Sequence, residues 1–259
     1  MNDEQLKAAS GEILHIPTVV DAVAVTYNVP ELGATALRLS GETISRIFLG
    51  NIKRWDDPRI VKDNPGVALP GGEITVVHRF DETGTSFAFT DFLSKASPLW
   101  RRKIGAGTSV TWLAGPGSKG IDGMIDHIRQ IPNSIGYLEL SYALRSNLTI
   151  ADVKDADGQF VRPSPESIGA AVASVAGDIP RDLRASITYA RGSGAYPICA
   201  LTYFLVYKQA TDHANEKALV DFLWWALHDG QRSAPPMNYG PLPPQIARLA
   251  EQQIKSITY

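Results

Sequence analysis

Apolar and polar positions along the chain follow two periods, and the places where one gives way to the other predict the elements. Glu4–Ala9 reads as a short helix, capped by Asn2 or Asp3 and stopped by Gly11. Ile13–Thr26 is Val-rich and partly alternating, which predicts a buried strand with an extended connector. Ser40 precedes a short helical pattern ending at Phe48, and turn-rich chain follows. Glu73–Arg79 is a β-branched strand, and Thr83–Lys95 has helical spacing with Phe87, Phe89 and Phe92 on or near one face. Beyond a glycine-rich loop at Gly115–Gly123, the pattern gives a helix at Met124–Gln130 and a strand at Ser134–Glu139. Ser141–Arg145 is a helix or turn. Ser164–Ala176 is an Ala/Val-rich helix opened by Pro165, where proline is tolerated. A strand at Ile198–Tyr207, an amphipathic helix at Ala214–Asp229 and a last helix at Pro243–Ser256 complete the chain. Strands alternate with helices, which defines the α/β class.

Composition narrows this picture. The 259 residues are 44% hydrophobic and 20% charged, which excludes disordered, collagen-like and coiled-coil chains. A formal charge of −2 gives no bulk attraction to nucleic acid or to anionic membrane. Cys199 is the single cysteine, so neither an intrachain disulfide nor a cysteine-based zinc site is available. No apolar run reaches the roughly 18 residues of a membrane span, and the N-terminus reads without a signal peptide.

Candidate chemistry is densest at Arg79-Phe80-Asp81-Glu82-Thr83-Gly84-Thr85-Ser86, where a strand ends and a helix begins. Ligands of open α/β sheets bind at the carboxyl ends of strands. The first helical turn offers free N–H groups from Gly84, Thr85 and Ser86, and the helix dipole adds partial positive charge. Gly84 leaves room for close approach, Thr83 and Thr85 add hydroxyls, and Arg79 adds a planar fork of donors. Asp81 is suited to holding the Arg79 guanidinium. Together these residues describe a tetrahedral oxyanion site. The same residue types also make an ordinary helix cap and a surface ion pair, so residue type leaves both readings open. Gly115–Gly123 lacks phosphate-loop spacing, since Ile121 and Asp122 follow Gly120, and reads as a packing or lid segment. The five histidines show no metal spacing, Cys199 reads as a small buried hydrophobe, and Trp224-Trp225 read as core-facing.

Several segments together carry a family resemblance. They are Ile16-Pro17-Thr18, Ser40–Trp55 with Asp56, Asn64-Pro65-Gly66, Val76–Phe87, Gly115–Gly123, Ile135-Gly136-Tyr137 and Tyr196-Pro197-Ile198. With them the chain resembles the phosphate-binding subunit of the high-affinity phosphate ABC importer, the PstS family of periplasmic binding proteins. The resemblance implies two lobes with mixed sheets joined by crossing strands, and phosphate held in the cleft between them. It makes Arg79 the ligand arginine, Asp81 its partner, and Thr83, Gly84 and Thr85 the hydroxyl and backbone donors. Two departures stand out: Thr83 replaces the commoner serine, and Glu82 replaces a small residue. The resemblance further implies roughly 60 residues ahead of Met1, the length of two strand–helix units, carrying the rest of the phosphate shell.

The expected organisation is residues 1–28 with 197–259 as an incomplete first lobe and 29–196 as the second. The first lobe is expected to expose apolar surface and a sheet edge. The resemblance implies a non-enzymatic binder of inorganic phosphate that needs no metal or cofactor. Its partner would be the membrane permease of the importer, and its compartment the periplasm. A second reading is a fragment that binds phosphate weakly or not at all and associates with another chain. A third is a phosphate-ester hydrolase with Thr83, Thr85 or Ser86 as nucleophile, which no paired base, metal cluster or cofactor loop supports.

Overall fold

A computed structural model describes residues 1, 3–33, 35–209 and 213–258. In chain order the first elements are α1 (Asp3–Lys7), β1 (Ile13–Asn28), β2 (Arg38–Leu39), α2 (Gly41–Phe48) and α3 (Pro58–Asp63). Next come β3 (Thr75–Val76), β4 (His78–Arg79), α4 (Gly84–Ala96), α5 (Pro98–Lys103) and β5 (Gly117–Ser118). The middle of the chain gives α6 (Gly120–Gln130), β6 (Ser134–Glu139), α7 (Leu140–Arg145), β7 (Thr149–Ile150), β8 (Asp152–Lys154) and β9 (Phe160–Val161). The last elements are α8 (Pro165–Val175), β10 (Cys199–Tyr207), α9 (His213–Leu227) and α10 (Pro244–Lys255). The expected α/β class is the observed one. Asn2, one of the two caps expected for α1, lies outside the described residues.

The organising element is β1. Its first part, Ile13–Ala22, pairs antiparallel with β10, and Val23–Asn28 pairs antiparallel with β6. A strand of 16 residues lasts because β-branched and small apolar residues fill it and both faces are covered, leaving most of it buried. Pro17 cannot donate to a ladder and sits at a register irregularity between Pro17 and Val19. The main sheet therefore runs β10-β1-β6-β3, with β7 also on β1. Helices α8, α9 and α10 contact β1 near β10, while α4 and α6 pack against β6. The chain thus changes partners at Ala22/Val23, six residues before the boundary expected at residue 28. Helix α8 contacts β10, although the expected division places residues 165–175 in the other lobe.

The stretch expected as one strand at Glu73–Arg79 is two short pieces on different partners. β3 pairs with β6, and β4 pairs in parallel with β5. That switch brings the glycine-rich segment against the strand carrying Arg79. Gly115 there has φ +79°, and an added Cβ would lie 1.7 Å from the Val76 carbonyl oxygen. The segment has a packing role, and only a glycine fits at its start.

Two apolar expectations are corrected. Phe89 and Phe92 are buried on α4, but Phe87 is exposed: two residues along a helix is about 200° around it. Trp224 and Trp225 do not face the core. Leu223 and Leu227 bury that stripe of α9, leaving Phe222, Trp224 and Trp225 exposed, the last by 50%. Phe204, Leu205 and Tyr207 are exposed on β10, which ends the sheet among the described residues. No described helix is long and apolar enough to cross a membrane.

Candidate functional site: the N-terminus of α4

An aromatic cluster fixes α4 on β6. Phe89 stacks on Tyr137 at 4.2 Å between ring centroids, and Phe48 meets Phe89 at 4.9 Å. Trp112 stacks on Tyr137 at 5.7 Å and on His78 at 4.8 Å. Buried aromatic pairs of this geometry add about 0.5–1.5 kcal/mol each beyond area burial. They hold the first turn of α4 in a fixed position beside β4.

At that turn Thr83 is the N-cap, with φ −146° and ψ 150°. Its hydroxyl oxygen accepts the Ser86 N–H at 2.9 Å, and the hydroxyl donates to Ser86 Oγ at 3.1 Å. The Ser86 N–H is therefore engaged within the helix end, contrary to its expected availability. The N–H groups of Gly84 and Thr85 make no hydrogen bond to any described residue. A Cβ at Gly84 would meet nothing within 4 Å, so there is open space on the Cα side of this residue at the helix end.

Arg79 arrives from β4 with its side chain only 8% exposed. Asp81 grips it from one side: Nε donates to Oδ1 at 2.7 Å, and Nη2 donates to Oδ2. The Gly120 N–H, from the glycine-rich segment, donates to Asp81 Oδ1 at 3.3 Å. The guanidinium hydrogen bonds hold the Asp81 carboxyl well below the usual carboxylate range, and the Asp81 hydrogen bond raises Arg79 further. Nη1 makes no hydrogen bond to a described residue. Asp81 thus aims a fixed cation while leaving part of its donor edge free.

The expected residues Arg79, Asp81, Thr83, Gly84 and Thr85 are brought together, and two residues not singled out for the site tie them. The Tyr137 hydroxyl accepts the Arg79 N–H at 3.3 Å and bonds Ser86 Oγ at 2.8 Å, linking β4 to α4. Burial pushes the Tyr137 phenol up to about 12, so it is no base at neutral pH and Ser86 gains no nucleophilic activation from it. Glu139 accepts the Thr85 hydroxyl through Oε1. Neither residue had a chemical signal in the sequence: both lie on β6, a strand buried nearly throughout and more than 50 residues downstream of the motif. No group of three or more metal-ligating side chains occurs among the described residues.

Two expectations about this network can be measured. Tyr137→Phe keeps the ring stack and removes two hydrogen bonds, so unfolding free energy should fall by about 1–2 kcal/mol in a urea titration. Because Asp81 is depressed in the folded state, its contribution is present above the ordinary carboxylate value near 4 and is lost as pH falls below it. Asp81→Asn should therefore be less stable than the parent at pH 6, with the gap closing toward pH 2. A gap as wide at pH 2 as at pH 6 would show that the carboxylate charge is not its source.

This arrangement sets a carboxylate-braced guanidinium beside a helix N-terminus on an α/β scaffold whose long first strand takes two sets of partners. A family model described as a PBP superfamily domain matches residues 1–229. The phosphate-binding protein PstS of Xylella fastidiosa (strain Temecula1) is 40% identical over 250 residues, covering 96% of this chain and 68% of the relative. PstS of Pasteurella multocida is 38% identical, covering 98% of this chain and 75% of the relative. PstS of Methanocaldococcus jannaschii is 40% identical over 94% of this chain and 67% of its own length. Among solved structures, a high-affinity periplasmic phosphate-binding protein bound with phosphate (PfluDING) aligns with TM-score 0.74 at 18% identity. That alignment covers 97% of this chain and 76% of the other, and shows the shared fold. The chain belongs to the PstS family of phosphate-binding proteins, within the PBP superfamily.

Proposed function

We propose that this chain binds inorganic phosphate at the N-terminus of α4 and serves as the substrate-binding component of a phosphate ABC importer. The observation that carries the reading is the meeting of a carboxylate-braced Arg79 with the free N–H groups of Gly84 and Thr85 at a helix end with open space beside Gly84. A doubly charged tetrahedral anion matches that donor set and the helix dipole. The names of the relatives support the ligand. Thr83 and Thr85 add hydroxyl donors once their protons turn from Ser86 and Glu139 toward the anion.

The two halves of β1 carry a lobe each, residues near Ala22/Val23 acting as the hinge, and closure brings the lobes together over the ligand. A loaded, closed form is what the permease would recognise, in the periplasm where the family works. Release of the anion, with no bond made or broken in it, completes the cycle. The test is calorimetric titration of the whole chain with phosphate, using sulfate as comparison. Saturable binding of phosphate is expected, and a folded chain that gives no heat with phosphate overturns the reading.

The apolar row on β10 and α9 favours a second feature, association with another polypeptide along that edge. Light scattering across a dilution series should show mass above 28.1 kDa at the higher concentrations. A constant monomer mass would count against it.

A further inference from the structure

Behind the Thr85 hydroxyl, two carboxyl groups are carried where β1 changes partners: Glu139 lies opposite Val23, and Asp21 is two residues before Val23 on the same strand. Glu139 ends β6 and precedes α7. Its Oε1 accepts a hydrogen bond from the Thr85 hydroxyl, while its Oε2 is shielded from solvent and has no hydrogen-bond partner. Asp21 stands on β1 opposite Ala200, and its Oδ1 accepts the Ala22 N–H at 2.7 Å. Burial, with the Glu139 charge as second cause, pushes the Asp21 carboxyl up to about 7.

Among the described residues, the other ionisable groups that act on the pair supply no free cation. Arg79 feels Glu139 but is already gripped by Asp81. Tyr239, which bonds Ser141 at 3.3 Å, feels Asp21, Tyr142 and Glu139, and burial raises it. Cys199 on β10 feels Asp21, and burial raises its thiol strongly. Tyr137 lies beside Arg79 with its phenol neutral.

A hydroxyl has one proton to give. Thr85 cannot donate to Glu139 and to a bound anion at the same time. A dianion seated at α4 also brings more negative charge toward the Asp21 carboxyl, which favours its protonated form further.

We propose that Asp21 and Glu139 form a proton-accepting pair at the hinge, so that anion binding at α4 draws one proton into the pair and frees the Thr85 hydroxyl for the ligand. The inference rests on the phosphate-binding reading above. The proton comes from solvent and forms one carboxyl O–H bond; no other covalent bond changes. Once protonated, the pair donates where it previously only accepted: Glu139 can give its O–H to Thr85 Oγ1 while Thr85 gives its own proton to the anion. Glu139 is a positioning residue for Thr85, and Asp21 shares its proton. By linkage, whatever proton the anion draws in, lowering the pH returns as affinity.

The test is phosphate titration calorimetry on the whole chain at pH 8, in buffers of differing ionisation enthalpy, which counts protons taken up per phosphate. The proton exchange of phosphate itself is common to all forms and cancels between them. The parent is expected to take up close to one proton more than Asp21→Asn or Glu139→Gln. Its affinity should also fall more steeply above neutral pH, approaching about tenfold more per pH unit. Glu139→Gln, whose amide can donate to Thr85 Oγ1, should bind at pH 8 at least as tightly as the parent. Equal proton counts in all three forms, or a large loss of affinity in Glu139→Gln with the count unchanged, overturn the proposal.

A readout without ligand separates this from failure of the phosphate reading. In the phosphate-free chain, infrared spectra should show a protonated-carboxyl band that titrates near neutral pH and disappears in Asp21→Asn. Absence of that band in the parent removes the pair itself, whatever phosphate does. Its presence with no phosphate binding removes the coupling together with the ligand assignment.

Discussion

Arg79→Ala should weaken phosphate binding by at least about a hundredfold while leaving the chain folded. Truncating one partner of a charge-assisted contact costs about 2–5 kcal/mol, much of it from the charge left behind. Here the group left behind is Asp81, which loses both guanidinium hydrogen bonds and stays beside the anion as an uncompensated carboxylate. The substitution therefore removes an attraction and uncovers a repulsion. Arg79→Lys keeps the charge and loses the planar fork, so it should fall between the two. Asp81→Asn keeps the fork but loosens its aim, and its effect should be smaller than that of Arg79→Ala. Titration calorimetry with a thermal melt of each variant measures both quantities. Parent-like affinity in a folded Arg79→Ala would place the anion somewhere other than the mouth of α4.

The largest loss of stability is expected from Gly115→Ala. A Cβ there would lie 1.7 Å from the Val76 carbonyl oxygen, inside any tolerable contact, and the residue has φ +79°. Conformational strain and displacement of the β3–β4 backbone act together, so a loss of about 3 kcal/mol or more is expected in urea unfolding. For a chain of this size that corresponds to a Tm lower by roughly 6–12 °C. Because Val76 and Arg79 belong to adjoining short strands, phosphate affinity should fall as well. Gly84→Ala is the matched control. Its φ is ordinary and its Cβ meets no protein atom, so stability should change by less than about 1 kcal/mol. Its methyl enters the open space at the helix end, and any loss of phosphate binding would then report occupancy of that space. A Gly115→Ala chain as stable as the parent would mean that the segment carrying it moves freely.

The α/β alternation, the long Val-rich strand and the strand-to-helix motif at Arg79–Ser86 were legible because each rests on local periodicity or on neighbouring residues. Arg79 with Asp81 is a contact two residues apart, within reach of sequence reasoning. The role of Tyr137 was not, because it depends on β6 lying beside both β4 and α4, a fact of topology. Glu139 was hidden for the same reason, and Asp21 reads as a polar interruption in an apolar strand until β6 is placed against the next residues. The Ser86 N–H was miscounted because a threonine cap and a threonine ligand look alike in sequence. Phe87, Trp224 and Trp225 were assigned inward on hydrophobicity, but helical geometry gives each turn room for only one buried stripe. A boundary at residue 28 keeps β1 whole, whereas the strand pairs with β10 up to Ala22 and with β6 from Val23.

That double pairing sets an order of events during synthesis. The second half of β1 can pair with β6 once roughly 110 further residues have been made, whereas its first half waits for β10, roughly 185 residues on. At roughly 5–20 residues per second, the first half is left without its ladder for about 10–40 s. Through that interval an apolar, Val-rich strand stands open beside a partly assembled sheet. The nascent chain therefore needs shielding early, at residues far ahead of those still being added. High contact order makes the β10 half the slow one to fold, so refolding in vitro should be limited there and not at the N-terminus of α4.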